Sequence, residues 1–208
     1  SAGLASATQI TAKQLHDTKV STLSHLVLSQ TFNIGSLLPT AIVNATNELG
    51  QTLPARALLD SGSEVSLITE SLVQALRLKR IRHNATIHSV NALTSGSNAR
   101  VHVLISSRCC RWKRAIECLV VPAISKATPR RNINLAALKL PADLKLADDQ
   151  FFIPKKLDIL LSSSLFFQVL NTKKSSHCSK LFILDTKFGN VIAGDRLPTL
   201  LPSAAPPD

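Results

Sequence analysis

The sequence predicts an all-β fold, a small barrel or a compact sandwich with one modest helix, and three observations carry that expectation. Apolar runs of strand length recur from Leu37 to Ala193, most of them rich in Val, Ile and Leu. Turn-forming residues punctuate them, as in Asn47-Glu48-Leu49-Gly50, Asp60-Ser61-Gly62 and Lys187-Phe188-Gly189. Helical spacing of apolar residues stands out after Thr69. With 45% apolar and 18% charged residues in 208, the chain can bury one medium core and does not have a disordered composition.

Residues 1–35 are rich in Ser, Thr and Ala and read as a flexible arm or linker, with one strand-like run from Ser24 to Ser29. The folded domain is expected over 36–197. Its first element is a β-hairpin around Asn47 to Gly50, whose second strand ends with Leu58 and Leu59 against Asp60. Beyond Ser61-Gly62, the residues Val65, Leu67 and Ile68 predict a second buried strand. Thr69 is placed as a helix cap, with Glu70 in the first turn and Leu72, Val73 and Leu76 on one face. Ile87 to Val90 and Arg100 to Ile105 read as strands flanking a polar hairpin tip, Asn91 to Asn98, which carries Gly96. "AIECLVVP" is a strand stopped by Pro122, and 123–156 shows little periodicity. "LDILLSSSLFFQVL" is apolar again, and "KLFILDTKFGNVIAG" supplies two short strands. The tail 198–208, with four prolines, is expected to be disordered.

Several function classes are excluded or left open by composition. No uninterrupted apolar stretch is long enough to cross a bilayer, and the first twenty residues have no signal-peptide centre. The net charge of +11 favours polyanions, RNA being the obvious candidate, although a solvated basic surface accounts for it equally. One Trp and no Tyr leave no aromatic stacking platform. The four cysteines, Cys109, Cys110, Cys118 and Cys178, form no C-x-x-C pair and so argue against zinc. Cys118 sits in an apolar run as a small core residue. His177 and Cys178 are neighbours on an extended segment, where successive side chains point apart, so they make no nucleophile pair.

The segment with chemical promise is "RALLDSGSEVSLIT", Arg56 to Thr69. Asp-Ser-Gly is good turn chemistry by itself. Here, however, apolar residues on both sides present the carboxylate from a buried framework, as general acid–base catalysis requires. "ALLDSGSEVSLIT" resembles the active-site segment of retropepsin-like aspartic proteases, most closely those of BEL/Pao-type LTR retrotransposons. The likeness runs in order along roughly residues 37–195. It takes in "LLPTAIVNATNELGQ" as an opening hairpin, "SLVQALRLKR" as a short helix, "LKLADDQFFIPKKLDILL" as the approach to a second loop, and "DTKFGNVIAG" as closing strands.

The resemblance implies a small closed retropepsin-like β-barrel with one short helix, active as a homodimer. The chain has a single Asp-Ser-Gly or Asp-Thr-Gly triplet, because Asp185-Thr186 is followed by Lys187, so each copy would supply one catalytic Asp60. Two such carboxylates about 3 Å apart share one proton, and the ionised one activates water against a peptide carbonyl. The active-site turn would be Ser61, Gly62 and Ser63, with Ser61 hydrogen-bonding the carboxylate and Gly62 allowing close backbone approach. The flap over the peptide would comprise Ser89, Val90, Asn91, Ala92 and Leu93. The second loop would be Leu160, Leu161 and Ser162. No metal and no cofactor are implied. The implied activity is aspartic endopeptidase processing of a retrotransposon Gag-Pol polyprotein, in the cytoplasm or in retrotransposon particles, with no membrane partner. The alternative is a catalytically decayed module of the same fold that binds peptide or RNA. Two departures from the family stand out. Ser162-Ser163-Ser164 replaces Gly-Ala-Asp after two apolar residues, and the flap tip is poor in glycine. If residue 162 needs φ > 0, serine there would cost about 1 kcal/mol or more.

Overall fold

The structure is a computed structural model, and it describes residues 36–88, 94–177 and 181–195, all within the unit that begins at Ser36. The expectations for 1–35, for the flap residues Ser89 to Leu93, for Cys178 and for the tail lie outside the described residues.

Strands β2 (Thr40–Thr46) and β3 (Thr52–Leu59) form the expected antiparallel hairpin. Its turn is held by Asn47, whose Oδ1 accepts the amides of Leu49 and Gln51 at 2.9 Å each. Gly50 closes the turn at φ +83°, a conformation that favours glycine. Next come β4 (Leu67–Thr69), helix α1 (Glu70–Ala75), β5 (Ile81–His88), β6 (Thr94–Ser106) and β7 (Lys113–Val121). A long connection, regular only at the 3-10 turn Leu135–Leu138, leads to β8 (Ile159–Leu161) and helix α2 (Ser163–Val169).

Strands β2, β3, β8, β4, β7 and β6 pair in that order, and β6 pairs back onto β2, which closes a six-strand barrel. Closure gives each of the six strands a partner on both sides, although β2 meets β6 only over Asn44 to Thr46. β5 stays outside the ring, paired antiparallel to β6 alone up to His88 opposite Thr94. Inward residues alternate as the sequence predicts along β6, where Val101, Val103 and Ile105 are buried. They meet Val43, Leu59, Ile68, Ile159 and Leu161 in one core.

β3 departs from simple alternation, being buried continuously from Ala55 to Leu59. Ala55, Ala57 and Leu59 belong to the barrel core, while Leu58 belongs to a separate cluster with Leu157 and Leu160. Arg56, between Ala55 and Ala57, is also buried, and its guanidinium bonds to the long connection. Its Nε meets Asp148 Oδ2 at 2.7 Å, and its Nη1 donates to the Thr128 carbonyl at 2.6 Å. The carboxylate also accepts the Thr40 hydroxyl at 2.8 Å.

A second sheet comprises β1 (Ser36–Leu37), β11 (Gly189–Asp195), β10 (Leu181–Thr186) and β9 (Leu170–His177), in that order. It shares a smaller core with the connection through Leu37, Leu138, Phe151, Leu181, Ile183 and Ile192.

Three expectations change. The expected tip residues Thr94 to Asn98 belong to a strand instead, because β6 begins at Thr94 and Gly96 pairs with Thr86 inside the ladder. Val65 is not part of a buried strand: it is 42% exposed, and β4 starts only at Leu67. The alternation there belongs to a turn, since Ser63 Oγ donates to the Val65 carbonyl at 2.8 Å. A second helical segment, α2, occupies "SSLFFQV" and buries Leu165, Phe166 and Val169. α1 stands where expected, although the Thr69 side chain makes no cap hydrogen bond.

Candidate active site

Asp60 directly follows β3, and Ser162 directly follows β8. These two strands are parallel partners in register, with Ala57, Leu58 and Leu59 opposite Ile159, Leu160 and Leu161. The two loops therefore leave the barrel side by side. The Asp60 amide donates to the Leu161 carbonyl at 3.0 Å, one step beyond the ladder. Two further bonds tie the loops together. The Ser162 amide donates to Ser66 Oγ at 3.1 Å, and the Ser163 amide donates to the Ser63 carbonyl at 2.8 Å. Ser66 is buried, and its own carbonyl accepts the Leu119 amide at 3.0 Å, so the turn is also fixed to β7.

The carboxylate of Asp60 is half-buried and its Oδ1 accepts the Gly62 amide at 2.9 Å. That bond fixes the carboxylate's rotamer. This corrects the role assigned to Ser61: the bond to the carboxylate comes from the Gly62 backbone, while Ser61 lies exposed beside it. The role of Gly62 changes too. A Cβ there would sit 3.5 Å from Asp60 Oδ1, an ordinary contact, and Gly62 is not among the glycines at positive φ. Within one chain, sterics do not demand a glycine at this place.

Ser162 does not carry the anticipated strain. Its φ of −64° and ψ of 165° are ordinary extended backbone, and any L-residue adopts them. The serine is buried, with its carbonyl accepting the amides of Leu165 at 3.0 Å and Phe166 at 2.9 Å to start α2. Leu160 and Leu161 are buried beneath it, in different clusters on the two faces of β8.

A cleft of about 810 Å³ opens beside the turn, walled by Gly62, Ser66, His83, Arg114, Glu117 and Ser162 among others. Asp60 does not line it; the wall begins two residues later, because the carboxylate folds back on the Gly62 amide. The cleft joins the Asp60 turn, the second loop and β5. Glu117 on its wall pairs with Arg100 at 3.0 Å. Near α1, the guanidinium of Arg80 and then the amide of Gln74 hold Glu70 below the usual carboxylate range.

The structure brings Asp60, Ser61, Gly62, Ser63, Leu160, Leu161 and Ser162 together. Ser66 was not singled out in the sequence, and Ser163 only as part of the departure from the family, yet each supplies a bond between the loops. A signal was present: "ALLDSGS" and "ILLSSSL" both run from an apolar triplet into small polar residues. Among the described residues no group of three His, Cys, Asp or Glu could hold a metal ion. Among them, too, no helix is long and apolar enough to cross a membrane. Comparison of the chain with protein-family models and with curated proteins returned no match.

Proposed function

We propose that this chain is an aspartic endopeptidase of the retropepsin type, completed by a second copy that contributes its own Asp60, and that it processes a retrotransposon Gag-Pol polyprotein. The observation that carries the reading is the parallel β3–β8 pairing. It sets the Asp60 turn against the second loop and fixes their spacing with three bonds of 2.8–3.1 Å. A rigidly supported carboxylate two residues from a cleft wall is suited to general acid–base attack by water once a second copy faces it. Gly62 fits the same reading. It is exposed and unexplained by its own chain, and a second copy approaching closely would account for the missing side chain.

In the proposed reaction two carboxylates about 3 Å apart share one proton. The ionised member takes a proton from water as the water oxygen attacks the scissile carbonyl. The protonated member donates to the carbonyl oxygen, and the resulting diol collapses as the amine leaves protonated. The Gly62 amide keeps the carboxylate oriented through the cycle.

The net charge of +11 favours a second reading, a decayed module of this fold that binds peptide or RNA. A peptide library at mildly acidic pH, with Asp60→Asn as control, separates the two. The endopeptidase reading expects turnover that falls by on the order of 10²–10⁴-fold in the variant. It also expects a dimer by sedimentation. Turnover insensitive to the substitution, or a strict monomer that still cleaves, overturns it. Salt-dependent RNA affinity retained by Asp60→Asn, without cleavage by either protein, supports the module.

A further inference from the structure

The turn between β6 and β7 presents Cys109 and Cys110, adjacent and both exposed. They do not point apart into solvent as neighbours on a strand would. Both thiols reach one oxygen, the Lys187 carbonyl in the β10–β11 turn, with Sγ at 3.4 Å for Cys109 and 3.2 Å for Cys110. Ser107 organises the turn. Its hydroxyl donates to the same carbonyl at 2.7 Å and accepts the amides of Cys109 at 3.1 Å and Cys110 at 3.2 Å. Ser107 Oγ also lies 3.3 Å from Cys109 Sγ. The Ser107 amide donates to the Trp112 carbonyl at 2.9 Å, which closes the loop. Arg108, Arg111, Lys113 and Lys187 are all exposed in or beside this turn, with no acidic residue between 107 and 116.

We propose that Cys109 and Cys110 are an oxidisable dithiol, with Cys110 as the attacking thiolate, Cys109 as the resolving thiol and a hydroperoxide as the oxidant. The cationic surroundings favour the thiolate over the thiol. The Cys110 thiol is held below its ordinary range by the Ser107 hydroxyl, then by the Trp112 backbone; slight burial opposes them, and the Lys187 charge adds the smallest push downward. Cys118, by contrast, is buried in the barrel, and burial pushes it up to about 12. It cannot compete.

The chemistry balances in two steps. The Cys110 thiolate attacks one peroxide oxygen, the O–O bond breaks, and hydroxide leaves and takes a proton to become water. Cys110 is then a sulfenic acid. The Cys109 sulfur attacks the Cys110 sulfur, an S–S bond forms, and the S–O bond breaks. The released hydroxide takes the Cys109 proton. Two thiols lose two electrons in all, and one peroxide becomes two waters. The product has no S–H group, so the Lys187 carbonyl keeps only the Ser107 donor. That carbonyl sits in the turn next to Phe188, whose ring stacks edge-on to Trp112 at 5.2 Å.

The test uses the full chain carrying Cys178→Ser, treated with one equivalent of hydrogen peroxide and read by intact mass and peptide mapping. The expected product has lost 2 Da and two alkylatable thiols, with the bond mapped to 109–110. Cys109→Ser should instead accumulate a dimedone-trappable adduct on residue 110. Cys110→Ser should slow thiol loss at least tenfold. Alkylation of native protein should reach Cys110 well before Cys118. The proposal is overturned if Cys110 reacts no faster than Cys118. It is likewise overturned if Cys110→Ser loses Cys109 at the parent rate, or if the only disulfides formed join separate chains. Proteolysis is not read at any stage, so the outcome is independent of the endopeptidase reading.

Discussion

Removing the carboxylate of Asp148 tests how the strand bearing Asp60 is anchored. Asp148 and Arg56 are side chains 1% and 4% exposed that meet at 2.7 Å. Asp148→Asn keeps the shape but leaves the guanidinium buried with no counter-charge. Asp158 does not replace it, since that carboxylate bonds the Arg56 backbone amide at 2.8 Å. Breaking one member of a buried pair costs about 3–5 kcal/mol, a large part of the 5–15 kcal/mol that a domain possesses. With a urea m-value of about 2 kcal/mol/M, the unfolding midpoint should fall by roughly 1.5–2.5 M. Arg56→Met combined with Asp148→Leu should recover much of this, because no charge remains buried. The Thr40 hydroxyl and the Thr128 and Lys155 carbonyls would each lose a partner, at about 1 kcal/mol each. The double variant should therefore be at least about 2 kcal/mol more stable than the sum of the single changes implies. Single variants that each cost less than about 1 kcal/mol and add without coupling would refute a buried pair.

Three further outcomes are expected. Ser162→Gly should lower stability by about 0.5–1 kcal/mol in urea unfolding, because the backbone there is unstrained and glycine only adds unfolded-state entropy; a gain would restore the strain argument. Gly189→Ala should cost more than about 1 kcal/mol by thermal melting, since at φ +110° its Cβ would lie 2.9 Å from the Lys145 carbonyl; near-neutrality would mean the turn is not formed as seen. Cys118 is raised in the folded state from 9.0 to about 12 by burial, so the stability it confers is whole below pH 9. That contribution should decline by about 1.4 kcal/mol per pH unit above pH 9 as the unfolded thiol ionises first. The advantage over Cys118→Ala should shrink between pH 9 and 10.5, and a constant advantage would place Cys118 in contact with solvent.

Much of the barrel was legible because alternation reports a half-buried strand directly, as at Val101, Val103 and Ile105. Asn47 to Gly50 announced its turn by composition, and "AIECLVVP" lies largely within β7. Val65 misled for the same reason, since three apolar residues near a turn mimic alternation whatever their backbone does. Arg56 was opaque: a basic residue between apolar ones looks solvent-facing until a remote segment brings a carboxylate and two carbonyls to it. The second loop was foreseen as a place but not as a geometry. Parallel register between β3 and β8 arises from tertiary pairing that no local pattern encodes, and the strain expected at Ser162 assumed a backbone the fold does not use.

That pairing also dictates when the site can exist. The bond from the Ser162 amide to Ser66 spans 96 residues of chain, and the one from the Arg56 amide to Asp158 spans 102. Contacts of such separation form late, after the loop-closure entropy of the intervening strands has been met. The β2–β3 hairpin can fold early and carry Asp60 at its end, but its carboxylate then lacks the neighbouring loop and a fixed direction. Pulsed hydrogen exchange should find the Ser162 and Asp158 amides protected in the slowest refolding phase, well after the Asn47 turn. A nascent or partly folded chain would thus hold the aspartate without the second loop beside it, and completion of the fold would itself set when the proposed site assembles.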